Sequence, residues 1–123
     1  MKSLLVIAHG SRREASNDEV RALTSRIADK AQQQFDIVES AFLELAEPSI
    51  PDGIKRCIEK GATEIVILPY FLSAGRHVAE DIPGEVDATR SQYPEIDMKI
   101  VPYLGAMEKV ADLMTEQAIL AVN

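Results

Sequence analysis

Short apolar runs alternate with longer stretches of helical period along the whole chain. Residues 3–8 (SLLVIA) are apolar on both faces, the pattern of a strand inside a parallel sheet. Val20, Leu23, Ile27 and Ala31 then recur at spacings of three and four, predicting a helix over 16–34. Ser16, placed three residues before Glu19, predicts a capping box at its start. Residues 37–45 (IVESAFLEL) read as a second strand, more polar and nearer an edge. Ser49 predicts the cap of a short helix with Pro51 and Asp52 in its first turn and Gly61 as its stop. The third strand covers 63–68 (TEIVIL). A long loop of about twelve residues is expected after it. Asp81 is then expected to cap a helix whose first turn holds Pro83 and whose inner face holds Ile82, Val86 and Tyr93. Residues 97–101 (DMKIV) predict a fourth strand, and 106–121 a last helix carrying Val110, Leu113, Met114 and Ala118.

Strand and helix alternating four times predict an α/β fold: a parallel sheet with helices on both faces. Right-handed crossovers and two apolar central strands favour the order 2-1-3-4. Strands 1 and 3 are then neighbours at the point where the chain reverses its direction of travel. Ligands of open α/β sheets bind outside the carboxyl ends of the strands at such a point. His9 follows strand 1 directly and His77 falls in the loop expected after strand 3, so topology brings the chain's two histidines to one crevice.

Length favours a single domain over 1–123, large enough to bury a core without staples. The one cysteine, Cys57, lies in a helical pattern with Ile50, Ile54 and Ile58 and reads as a small core residue. Met1 and Lys2 lead straight into the first strand, and no apolar run approaches the roughly eighteen residues of a membrane span. A cytoplasmic protein is the expectation. A net charge of −7 argues against a nucleic-acid partner, because that binding depends on neutralising phosphates. Positive charge is concentrated locally instead, with Arg12 and Arg13 close to His9 and Arg76 beside His77.

Imidazole, with a reference pKa of about 6.5, is mostly neutral at pH 7 and can ligate a metal or accept a proton. Imidazole suits Fe, Co, Ni, Cu and Zn, and two imidazoles with a carboxylate such as Glu44 or Glu80 would hold such an ion loosely and leave coordination positions open. Glu44 stands out because it lies in the otherwise apolar run FLELA, where a carboxylate needs a partner; Glu47 reads as a solvated loop carboxylate. Gly10 and Gly75 suit tight turns or close ligand approach. Tyr70, Phe71 and Leu72 offer an apolar wall for a flat ligand, or pack in the core. No G-x-G-x-x-G follows strand 1 and no Walker A lysine is present, so nothing signals a nucleotide.

HGSR at 9–12, FLELAEP at 42–48, LPYFLSAGRHVAEDIP at 68–83 and the closing VPYLG resemble the class II tetrapyrrole chelatases. The likeness is to the short sirohydrochlorin cobaltochelatase (CbiX) group, related to the sirohydrochlorin ferrochelatases, and it spans essentially the whole chain. The resemblance implies a chelatase-like, flavodoxin-like half-unit that inserts a divalent metal into sirohydrochlorin, a polycarboxylate tetrapyrrole, for cobalamin or siroheme synthesis. His9 and His77 become the active-site histidines, which bind the ion and help to remove pyrrole protons, with Glu44 a further candidate ligand. The metal enters as co-substrate, and no permanently bound cofactor is implied. Arg12, Arg13 and Arg76 are expected to meet the substrate's carboxylates, an inference from charge. Gly10, Ser11, Gly75, Tyr70 and Phe71 complete the expected substrate contacts. Longer members carry two such halves in one chain, so a homodimer is implied here.

Two alternatives stand beside this reading. A carrier of the same fold would bind metal or tetrapyrrole without turnover. A histidine phosphatase also opens on a strand ending in His-Gly, but an arginine normally precedes that histidine, and Ala8 holds the position here.

Overall fold

In the first strand, β1 (Lys2–Ala8), Ser3, Leu5 and Ile7 face one side of the sheet and Leu4, Val6 and Ala8 the other. All six are buried, so helices must cover both faces. The computed structural model describes residues 1–122, and His77 by its backbone alone. After β1 come α1 (Glu14–Ala31), β2 (Ile37–Phe42), α2 (Ile50–Glu59) and β3 (Glu64–Pro69). They are followed by α3 (Arg76–Arg90), β4 (Asp97–Ile100), a 3₁₀ turn (Leu104–Ala106) and α4 (Glu108–Leu120). All strands are parallel in the order β2-β1-β3-β4, as the alternating pattern predicts.

The two faces are covered unequally. On one, Leu5, Ile7, Ala41, Ile65 and Ile67 pack against Ile50, Ile54 and Cys57 of α2 and Ile82 and Val86 of α3. Each fully buried isoleucine there contributes about 1.5–3 kcal/mol. Cys57 is wholly buried, as expected, and burial pushes its thiol above the ordinary range. Gly53 lets α2 lie close to the sheet, since a Cβ there would fall 2.8 Å from that of Ala41. The opposite face has a small buried cluster of Ala8, Val20 and Phe42 under α1. No residue of α4 is buried.

The expected ends of α2 hold. Ser49 Oγ accepts from the Asp52 N–H at 3.3 Å, Pro51 sits in the first turn, and Gly61 follows with φ +106°. Three expectations need correction. Helix α1 starts at Glu14 with Arg13 as its cap and no side-chain cap bond, so Ser16 and Glu19 lie inside the helix and form no capping box. The strand expected over 37–45 ends at Phe42, and the chain bends over 43–48 to a cis Glu47–Pro48 peptide. Helix α3 starts at Arg76, so the connection is half as long as expected and His77 belongs to the helix. Asp81 and Pro83 look like start signals, but Val78, Ile82 and Val86 at spacings of four pack on the core and draw the earlier turn into the helix.

Candidate functional site

The β1–β2 ladder continues beyond both strands. Leu43 N–H donates to Ala8 O at 2.9 Å and Glu44 N–H to His9 O at 3.0 Å, so backbone pairing sets His9 beside Glu44. Gly10 permits this closeness. It takes φ +96°, and a Cβ there would lie 1.7 Å from the Glu44 carbonyl oxygen. Leu45 then takes φ +64°, a left-handed backbone that costs a non-glycine residue about 1 kcal/mol or more and turns the chain sharply after Glu44.

His9 Nε2 lies 3.8 Å from Glu44 Oε1, both side chains being about half exposed. His9 Nδ1 lies 3.1 Å from Gly10 O, an acceptor, which places the proton on Nδ1 and leaves the Nε2 lone pair free. Two ligand bonds of about 2.1 Å can span that separation through one ion. Among the described residues no group of three or more such donors converges. Among the described residues the pair thus offers two adjacent donor side chains.

Opposite it runs a stripe on α3. Glu80, Asp81, Gly84 and Glu85 line a cleft of about 430 Å³ together with His9, Leu43 and Glu44. Position 77 begins the same stripe, at helical spacing from Glu80, Asp81 and Gly84. The side chain of His77, and so the expected meeting of the two histidines, lies outside the described residues. Burial, and secondarily the charge of Asp81, raises the pKa of the Glu85 carboxyl above its ordinary 4.5. Its Oε2 is buried without a hydrogen-bond partner.

Other expected site residues scatter. Arg12, Arg13 and Arg76 are exposed at the starts of α1 and α3, the end of the sheet where the cleft opens. Gly75 caps α3 in ordinary extended backbone, with open space where a Cβ would be. Phe71 packs against the core, and Tyr70 lines a separate apolar groove, so neither forms a wall of the acidic cleft. Ser11 is held in place by a residue the sequence did not single out. Ser11 N–H donates to Asn17 Oδ1 at 2.9 Å, and Asn17 Nδ2 donates back to Ser11 O at 2.8 Å. Asn17 is 1% exposed, and a polar residue at a core-facing helical position was its only signal. Glu85 was missed because the helix was begun too late for 77, 80, 81, 84 and 85 to form one stripe. A cleft so rich in carboxylates attracts a cation and repels a phosphate ester, which removes support from the phosphatase alternative.

A family model described as CbiX matches residues 3–120. The sirohydrochlorin ferrochelatase of Priestia megaterium is 35% identical over 117 residues, 95% of this chain and 43% of that protein. The sirohydrochlorin cobaltochelatase of Sulfolobus acidocaldarius is 30% identical over 123 residues, covering all of this chain and 94% of that protein. The crystal structure of the sirohydrochlorin chelatase SirB from Bacillus subtilis subspecies spizizenii in complex with cobalt superposes with a TM-score of 0.82. It is 32% identical, over 95% of this chain and 49% of that one. The chain thus spans half or less of the length of several curated relatives it matches.

Proposed function

Because the chain belongs to the CbiX family, we propose that it is a sirohydrochlorin metal chelatase, inserting Co(II), with Fe(II) and Ni(II) also suited, into this polycarboxylate tetrapyrrole. The observation that carries the reading is the His9–Glu44 pair, held by backbone pairing and facing the carboxylates of α3. Relatives named for cobalt and for iron insertion support the reaction class.

Insertion exchanges two pyrrole N–H protons for one divalent ion, with no covalent intermediate and no nucleotide. The half-exposed pair takes the ion as substrate, and too few fixed donors hold it to keep it from the macrocycle. Glu85, whose carboxyl is disposed to bind a proton, and Glu80 stand across the cleft as acceptors for the released protons. His77 shares both roles by family resemblance. Arg12, Arg13 and Arg76 bind the substrate's acid groups by charge-assisted hydrogen bonds while the acidic cleft takes the metal. The working unit is a homodimer.

Anaerobic absorption spectroscopy of sirohydrochlorin with Co(II) tests this. The protein should speed the appearance of the metallated spectrum. His9→Ala and Glu44→Gln should each slow it by about 100-fold or more, since even an indirect partner of a ligand is worth 10–100-fold. Equal rates with and without protein overturn the enzymatic reading and leave a carrier.

A further inference from the structure

His9 and Glu44 stand on two separate segments, and each segment leaves the sheet close to its donor residue. One runs from His9 through Ser11 into α1, and the other from Phe42 through Glu44 and Glu47 toward α2. Backbone pairing joins them at Ala8 O and His9 O. Phe42 N–H donates to Pro48 O at 2.8 Å and closes the base of the second segment. Between those points the chain carries the left-handed backbone of Leu45, a conformation that persists only where its surroundings hold it.

Arg21 of α1 supplies that hold. Its Nη2 donates to Glu47 O at 3.3 Å, and its guanidinium carbon lies 5.2 Å from the centre of the Phe42 ring. Its Nη1 donates to Glu14 Oε1 at 2.5 Å and to Asp18 Oδ1 at 2.9 Å. The second oxygen of Glu14 accepts from Asn17 Nδ2 at 3.3 Å, and Asn17 Nδ2 also donates to Ser11 O at 2.8 Å. A continuous run of hydrogen bonds thus passes from Ser11 through Asn17, Glu14 and Arg21 to Glu47. It begins two residues after His9 and ends three residues after Glu44. The bond from Arg21 holds the Glu14 carboxyl below its ordinary range, so both groups stay charged at neutral pH.

Stability is a poor explanation for this run. Arg21 and Glu14 are each more than a third exposed, and exposed ion pairs add little to folding. Its ends, by contrast, lie on the two segments that set the 3.8 Å between His9 Nε2 and Glu44 Oε1. Only the planar fork of an arginine reaches a carboxylate and a carbonyl at once while lying over a ring.

We infer that Arg21 is a positioning residue for the metal pair, holding the Glu44 segment in register with the His9 segment from the outer side of α1. It touches neither the ion nor the macrocycle. The inference rests on the chelatase reading of the pair and adds a residue on which its geometry depends.

The test sets amide hydrogen exchange, followed by NMR, beside the Co(II) affinity of the protein without tetrapyrrole, measured by competition with a fluorescent chelator. Arg21→Gln and Glu14→Ala each break the run at a different point. In both, exchange at the Glu44 N–H should rise about tenfold relative to the Tyr70 N–H, which donates to Ile7 O at 2.7 Å on the other side of β1. Co(II) affinity should fall by about tenfold as well, the lower end of what an indirect partner of a ligand is worth. Ile54→Ala, a core truncation remote from the run, should leave the ratio of the two exchange rates and the Co(II) affinity unchanged. An unchanged ratio in the Arg21 and Glu14 variants, or a raised ratio with unchanged Co(II) affinity, overturns the inference. An unmodified protein that binds no Co(II) overturns the chelatase reading instead, and the exchange ratio still decides whether Arg21 holds the Glu44 segment.

Discussion

The two faces of the sheet are built from the same kind of residue and end in different states. Under α2 and α3, isoleucine on helix meets isoleucine on strand and water is excluded from Ile50, Ile54, Ile65 and Ile67. Under α1, equally apolar strand residues are finished by one helix, and Leu68 remains partly open beside a groove. The difference teaches that apolar sequence specifies what must be covered and leaves open which chain covers it. One face is closed by the crossover helices α2 and α3. The other has α1 packed on β2 and a groove left beside it.

Substitutions on the two faces should separate them. Ile54→Ala should lower stability by about 2–5 kcal/mol whatever the protein concentration, measured by urea unfolding. Asn17→Ala comes next, at about 1–3 kcal/mol, because it leaves the Ser11 N–H and C=O without their partner. It should also slow the proposed metal insertion by loosening the segment after His9, while truncation of Ile54 should leave the rate of the folded protein unchanged. Leu68→Ala on the open face, where the side chain is already partly exposed, should cost about 1 kcal/mol. A loss at Leu68 equal to that at Ile54 would erase the contrast.

Glu85→Gln should have the smallest effect, and only at one end of the pH range. Burial raises this carboxyl's pKa in the folded state above its ordinary 4.5, so the folded protein binds a proton that the unfolded chain has released. Whatever Glu85 contributes is therefore fully present below that ordinary value and is lost as pH rises through the raised one. The urea midpoint of the Gln variant should match that of the parent in acid and exceed it at neutral pH. Equal midpoints at both would show that the cleft carboxylates carry no folding penalty.

Much of this architecture was legible in the sequence, for identifiable reasons. Strands β1 and β3 are apolar runs with little room for another reading, and the order 2-1-3-4 follows from them by handedness. Glu44 was conspicuous as a charge among apolar neighbours, and His9 as the end of a buried strand. The start of α3 was not legible, because Asp81 and Pro83 carry strong local signals that tertiary burial of Val78 and Ile82 overrides. The bend after Phe42 was hidden as well, since it depends on Gly10 meeting the Glu44 backbone across the sheet. Asn17 has a role only once Ser11 is placed against it. The separation of Tyr70 from the acidic cleft depends on which side of the sheet it reaches, a fact of three dimensions.

Cys57 has a practical consequence. It is the chain's single cysteine, it lies wholly inside the closed face, and its thiol is held away from the thiolate form with which alkylating reagents react. A cysteine installed on the surface, for instance at Glu116 on α4, is thus the one sulfur a maleimide dye reaches in the folded protein. The surroundings of that helix can be followed by the dye's fluorescence, with the native thiol left in place.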